Sequence, residues 1–173
     1  MIINISARKA WLIGLIVSVG MMAYALYAQY VLELFPCPLC VFQRIAVIAF
    51  ILVALIALLH NPKRKGQVVY GLLGVLSAGA GVGIAGRHVW LQGLPADQVP
   101  SCGAGLEFML DTLPLFSVIE KVLSASGECA QISWQFLGLS MPAWVAIGTG
   151  TLTIWSLMIV FVFSRPLPQT SSQ

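Results

Sequence analysis

Long apolar runs separated by short polar bands set the pattern of this chain. Four stretches, residues 11 to about 30, 41 to 59, 68 to 85 and 144 to 163, each come close to the roughly 20 apolar residues that one helical crossing of a bilayer requires. Arg44 is the one formal charge inside them. The pattern predicts an all-α membrane four-helix bundle. Four crossings occupy nearly half of the 173 residues, so a single membrane domain over residues 1–173 is expected. The first run is longer than the roughly 7–15 apolar residues of a signal peptide and ends without a clear small-x-small cleavage site, so it is expected to stay as an anchor. Gly79, Gly81 and Gly83 lie mid-run in the third stretch, where they predict a small-residue packing face and not a nucleotide loop.

The polar remainder forms two segments on one side, about residues 31–40 and 87–141. Within the longer one, Leu115, Val118, Ile119 and Val122 share one helical face behind Pro114, and Ser117, Glu120, Lys121 and Ser124 share the other. Gly127 offers a stop. Such a short helix either lies flat in the membrane interface or caps the outer ends of the bundle.

Composition strengthens this picture. Hydrophobic residues make up 59% of the chain and charged residues only 9%, against roughly 25% charged in soluble domains. So few charges cannot cover a water-facing surface, and a soluble enzyme is excluded. The net charge of +3 comes from short basic clusters without a folded basic face, so no nucleic-acid partner is expected.

The clusters also orient the chain. Arg8, Lys9, Lys63, Arg64, Lys65 and Arg165, six of the nine basic residues, flank the spans on the side opposite the short segment 31–40 and the long segment 87–141. Basic residues stay on the cytoplasmic side. Both termini are therefore expected in the cytoplasm, and the segments 31–40 and 87–141 outside.

All four cysteines, Cys37, Cys40, Cys102 and Cys129, fall in those outer segments and none within a span. An even number there points to an oxidising compartment, which in a bacterium is the periplasm. Four cysteines allow three pairings. Cys37 and Cys40 are near enough in sequence to pair locally, which leaves Cys102 with Cys129. The first pair closes a short CxxC ring, a reactive and reversible disulfide. It also opens the second span, where unpaired N–H groups favour a thiolate. Arg44 follows Cys40 by one turn. It is either a functional cation beside the CxxC or a side chain reaching back to the interface.

Redox chemistry is the favoured reading of the cysteines, with structural disulfides and a zinc-like site as alternatives. No metal site is expected, because no histidine stands near Cys102 or Cys129 in sequence. Cys102 lies on the glycine-rich run Ser101 to Gly105, which suits exchange with a soluble partner. His88, with Gln92 one turn on, ends the third span level with the CxxC. It is either an interfacial hydrogen-bonding residue or a neighbour of a quinone.

Along nearly its whole length the chain resembles the disulfide-bond formation protein B (DsbB) family. The resemblance is carried by Trp11, by Pro36-Cys37-Pro38-Leu39-Cys40 with Gln43-Arg44, and by Arg87-His88 with Leu91-Gln92. It continues through Cys102, Gly127-Glu128-Cys129-Ala130, Trp134 and the run from Phe136 to Trp144. The resemblance implies an inner-membrane enzyme that reoxidises a periplasmic, DsbA-like dithiol oxidase of thioredoxin fold. Cys102 would form the mixed disulfide, and electrons would pass from Cys102–Cys129 to Cys37–Cys40. Cys40, beside Arg44, would then deliver them to ubiquinone or menaquinone from the membrane pool. Arg87 has no diagnostic role.

Two other readings compete with this one. One is a four-helix scaffold with structural outer disulfides. The other is a vitamin K epoxide reductase-like oxidoreductase, a family that places its quinone-side CxxC late in the chain, whereas here it opens the second span.

Overall fold

The computed structural model describes residues 6–95, 106–124 and 127–164. Four long helices dominate it: α1 (Ala7–Tyr30), α2 (Pro38–His60), α3 (Arg64–Gln92) and, after shorter elements, α6 (Met141–Ser164). They hold 24, 23, 29 and 24 residues. At a rise of about 1.5 Å per residue, each is long enough to cross a hydrocarbon core about 30 Å thick. Each is apolar enough to do so.

The helices form a ring in which α1 packs on α2, α2 on α3, α3 most extensively on α6, and α6 back on α1. Ile16, Leu76, Ile154 and Phe161 point outward and are exposed, an arrangement that suits lipid and would be costly in water. The structure therefore bears out the membrane four-helix bundle.

The close α3–α6 contact has a sequence cause. Gly71, Gly74, Ala78, Gly81 and Ala85 are buried along one face of α3 at helical spacing. A Cβ on Gly81 would come within 2.9 Å of Thr149 Cγ2, and one on Gly74 within 2.7 Å of Ser156 Oγ. Small residues let the two backbones approach. The expected face of Gly79, Gly81 and Gly83 is only partly correct: Gly79 and Gly83 look onto open space and Gly81 alone meets α6. Residues two apart on a helix do not share a face.

At the end carrying the N-terminus, Trp11 and Phe50 are fully buried with Ala54, Ala57, Leu152 and Ile159. Trp11 Nε1 donates to Gln67 Oε1 at 2.7 Å, and Gln67 Nε2 donates to the Pro62 carbonyl at 2.9 Å. The two buried polar groups satisfy each other.

The helices run past the apolar stretches. α3 continues seven residues beyond Ala85, so Arg87 and His88 belong to the helix and the outer connection starts only after Gln92. That last stretch is anchored by Leu91 and His88, both buried.

The outer connection folds over this end of the bundle. It contains α4 (Leu106–Thr112), α5 (Leu115–Ser124) and a 3-10 turn (Gly127–Ala130). A two-residue hairpin follows, β1 (Gln135–Phe136) and β2 (Leu139–Ser140), pairing Gln135 with Ser140 and Phe136 with Leu139. Its tip, Leu137 and Gly138, has positive φ at both positions, as a tight turn of this kind requires.

The expected short helix after Pro114 is present as α5. Its apolar face caps the bundle: Val118 and Val122 pack with Leu39, Leu91, Met109 and Cys129. Leu115 and Phe116 stay exposed.

A candidate thiol relay site at the outer end of the bundle

The start of α2 builds the centre of the site. Cys37 is the N-cap residue, with extended backbone (φ −71°, ψ 164°), and Pro38 occupies the first helical position. Proline suits that position because its fixed φ is helical and its missing N–H has no partner there anyway. The cap itself is sulfur: Cys40 N–H donates to Cys37 Sγ at 3.3 Å. One helical turn brings the two sulfurs to 2.8 Å.

α3 supplies His88 from the opposite side. Its imidazole is 2% exposed. Gln43 Nε2, one turn beyond Cys40 on α2, lies 3.2 Å from Nδ1. An amide nitrogen can only donate, so Nδ1 accepts and the ring hydrogen sits on Nε2. Nε2 then donates to the Cys129 carbonyl at 3.1 Å and lies 3.8 Å from Cys37 Sγ.

Cys129 arrives on the 3-10 turn, which packs against α3. It is 1% exposed, and burial against Leu39, Val118 and Val122 fixes it in place. The ligand atoms of Cys37, His88 and Cys129 lie within 4.8 Å of one another. The sequence argument against a metal, that no histidine stands near Cys129, therefore fails in space: α3 brings His88 there across 41 residues.

The two thiols divide a proton. The hydrogen bond to Cys129, then that to Cys40 and burial, push the Cys37 thiol far above the ordinary range. The same hydrogen bond pulls Cys129 down to about 7, against the burial that raises it. In the reduced protein Cys129 therefore ionises more readily than Cys37.

Arg44 turns toward α1. Its Nη1 donates to Gln29 Oε1 and its Nη2 to the Ala25 carbonyl at 3.1 Å. Gln29 is a partner that sequence reasoning missed; a polar residue near the end of an apolar run was the available signal.

Arg44, Cys37, Cys40, His88, Gln92 and Cys129 all border one cavity of about 280 Å³, just under the roughly 300–1,000 Å³ of typical small-molecule sites. Met21, Val47, Met141 and Val145 give it apolar walls, and Trp134 closes one side. Trp134 is held by an edge contact with Tyr24 and a stack on Phe136, at 5.9 and 6.1 Å between ring centroids. Of the six sequence-expected site residues, five therefore converge. Cys102 lies outside the described residues. Cys37, Cys40 and Cys129 carry no disulfide.

The family model for disulfide bond formation protein DsbB matches residues 7–159. The chain belongs to the DsbB family. It is 48% identical over 158 residues to disulfide bond formation protein B of Chromobacterium violaceum, covering 91% of this chain and 95% of that protein. The protein of the same name from Nitrosococcus oceani is 48% identical over 157 residues, covering 89% and 93%. That of Marinobacter nauticus is 46% identical over 152 residues, covering 87% and 90%. Family membership makes this DsbB chain a multi-pass bacterial membrane protein of disulfide bond formation, and so a thiol oxidoreductase.

Proposed function

We propose that the chain reoxidises a periplasmic, DsbA-like dithiol oxidase and passes the electrons through two cysteine pairs to a membrane quinone. The observation that carries this reading is the position of Cys129. Its sulfur lies beside Cys37, which is 2.8 Å from Cys40, on the wall of a cavity holding Arg44 and His88.

The relay balances as follows. A thiolate of the partner attacks Cys102 in a Cys102–Cys129 disulfide, forms a mixed disulfide there and releases Cys129 as thiolate. Cys129 attacks Cys37 of the Cys37–Cys40 disulfide; the new S–S bond joins Cys129 to Cys37, and Cys40 leaves as thiolate. The partner's second thiol resolves its mixed disulfide, so the partner is oxidised and Cys102 is freed. Cys102 then attacks Cys129, restores the first disulfide and releases Cys37. Two electrons now reside on Cys37 and Cys40 at the cavity.

The cavity suits a quinone head group: apolar walls surround donors from Arg44 and Gln92, and His88 borders it. A bound ubiquinone or menaquinone would supply the two-electron, two-proton acceptor. Arg44, held rigid by Gln29 and Ala25, would stabilise negative charge at the oxygen it faces. The basic residues support an orientation with both termini in the cytoplasm and the cysteines facing the periplasm.

The test is quinone ultraviolet absorbance in detergent after adding a reduced DsbA-like partner. Absorbance is expected to fall with the native chain and to stay constant with Cys40→Ser. A flat signal from intact native protein with an active partner and added quinone would overturn the reading.

A further inference from the structure

The three groups that meet over α2 also form a ligand set. We propose that the reduced enzyme binds one thiophilic divalent cation, Zn²⁺ above all, through Cys37, Cys129 and His88, with Cys40 as fourth ligand. The site is closed by oxidation, and occupation halts the relay.

The geometry is close to what zinc needs. Tetrahedral Zn–S bonds of about 2.3 Å and Zn–N bonds of about 2.0 Å place sulfur and nitrogen roughly 3.6 Å apart and two sulfurs roughly 3.8 Å apart. Cys37 Sγ and His88 Nε2 stand at 3.8 Å, and all three ligand atoms fall within 4.8 Å of one another. Cys40 Sγ, 2.8 Å from Cys37 Sγ, stands outside that cluster and has to move away from Cys37 to join as the fourth ligand. Two thiolates or three with an imidazole select zinc or cadmium over magnesium or calcium. His88 and Cys129 are buried, which shields such a site from competing water.

Gln43 completes it. A zinc-bound imidazole normally donates its other N–H to an acceptor. Zinc on Nε2 would replace its hydrogen bond to the Cys129 carbonyl and put the ring hydrogen on Nδ1, and a half-turn of the Gln43 amide would present Oε1 to it in place of Nε2. The side chain is already 3.2 Å away.

Binding moves no electrons. Zn²⁺ displaces the thiol protons of Cys37, Cys40 and Cys129 and forms three Zn–S bonds and one Zn–N bond. A Cys37–Cys40 disulfide leaves two of the four ligands without thiolates, so the cation binds only the reduced enzyme. Bound, it holds the sulfurs that the relay must exchange.

Co²⁺ is the probe, titrated into quinone-free protein in detergent under a phosphine reductant. Neither quinone nor partner is present, so this result is independent of the electron-acceptor reading. One equivalent is expected to give the visible bands of a tetrahedral thiolate complex, discharged by Zn²⁺ and absent from the oxidised protein. His88→Ala and Cys129→Ser are each expected to weaken binding by about tenfold or more, and Gln43→Leu by about 10–100-fold. Absence of tetrahedral bands from the reduced native chain would overturn the proposal, and this comparison needs no variant. Bands that persist unchanged in both His88→Ala and Cys129→Ser would overturn it equally.

Discussion

His88 holds Cys129 by its main chain: the imidazole Nε2 donates to the Cys129 carbonyl oxygen at 3.1 Å. The bond ties the outer connection to α3 and sets the distance between Cys129 and the sulfurs of α2. His88→Ala is expected to leave that carbonyl unpaired in a buried setting, at a cost of about 1–3 kcal/mol. The electron transfer from Cys129 to Cys37 should slow, while attack of the partner on Cys102 should not. Rapid-quench trapping of the partner mixed disulfide checks this, since the mixed disulfide should accumulate in the variant. Unchanged relay kinetics would remove His88 from the positioning role.

The ionisation of Cys129 gives a pH dependence. Its folded pKa is depressed to about 7 by the hydrogen bond from Cys37. The thiolate's contribution to stability is therefore fully present above the ordinary thiol value, roughly 8.5, and is lost as pH falls through about 7. In a reduced Cys40→Ser, Cys102→Ser background, thiolate ultraviolet absorbance should rise with a midpoint of about 7. Adding Cys37→Ala removes the donor and leaves burial, so the midpoint should move upward. A midpoint indifferent to Cys37 would contradict the shared proton.

The α3–α6 seam separates glycines that the sequence treats alike. Gly81→Leu drives side-chain atoms into Thr149 and is expected to cost about 1–3 kcal/mol by overpacking. At Gly79, two residues away, an added Cβ meets nothing within 4 Å, so Gly79→Leu should change stability by no more than about 0.5 kcal/mol. Thermal unfolding midpoints in detergent distinguish the two.

These cases mark what the sequence could and could not reveal. The four crossings were legible because an apolar run long enough to span a bilayer has few other uses, and Arg44 alone interrupts them. The CxxC at a helix start was legible because Pro38 and Cys37 are local cap chemistry. His88 was ambiguous because its partners, Gln43 and Cys129, come from elements 45 and 41 residues away. Arg44 was read against Cys40, its neighbour on α2, whereas its guanidinium bonds to Gln29 and Ala25 on α1. The burial of Cys129 depends on α5 folding back over Leu39 and Leu91, a tertiary choice that local pattern does not contain.

The central claim is that electrons cross between the two outer segments at Cys129 and Cys37. The most direct measurement is to oxidise a Cys40→Ser, Cys102→Ser chain mildly in detergent and map its disulfides by mass spectrometry without reduction. The account expects an intramolecular Cys37–Cys129 bond in most chains, formed without unfolding. Recovery of free thiols alone, or only of bonds between separate chains, would contradict it.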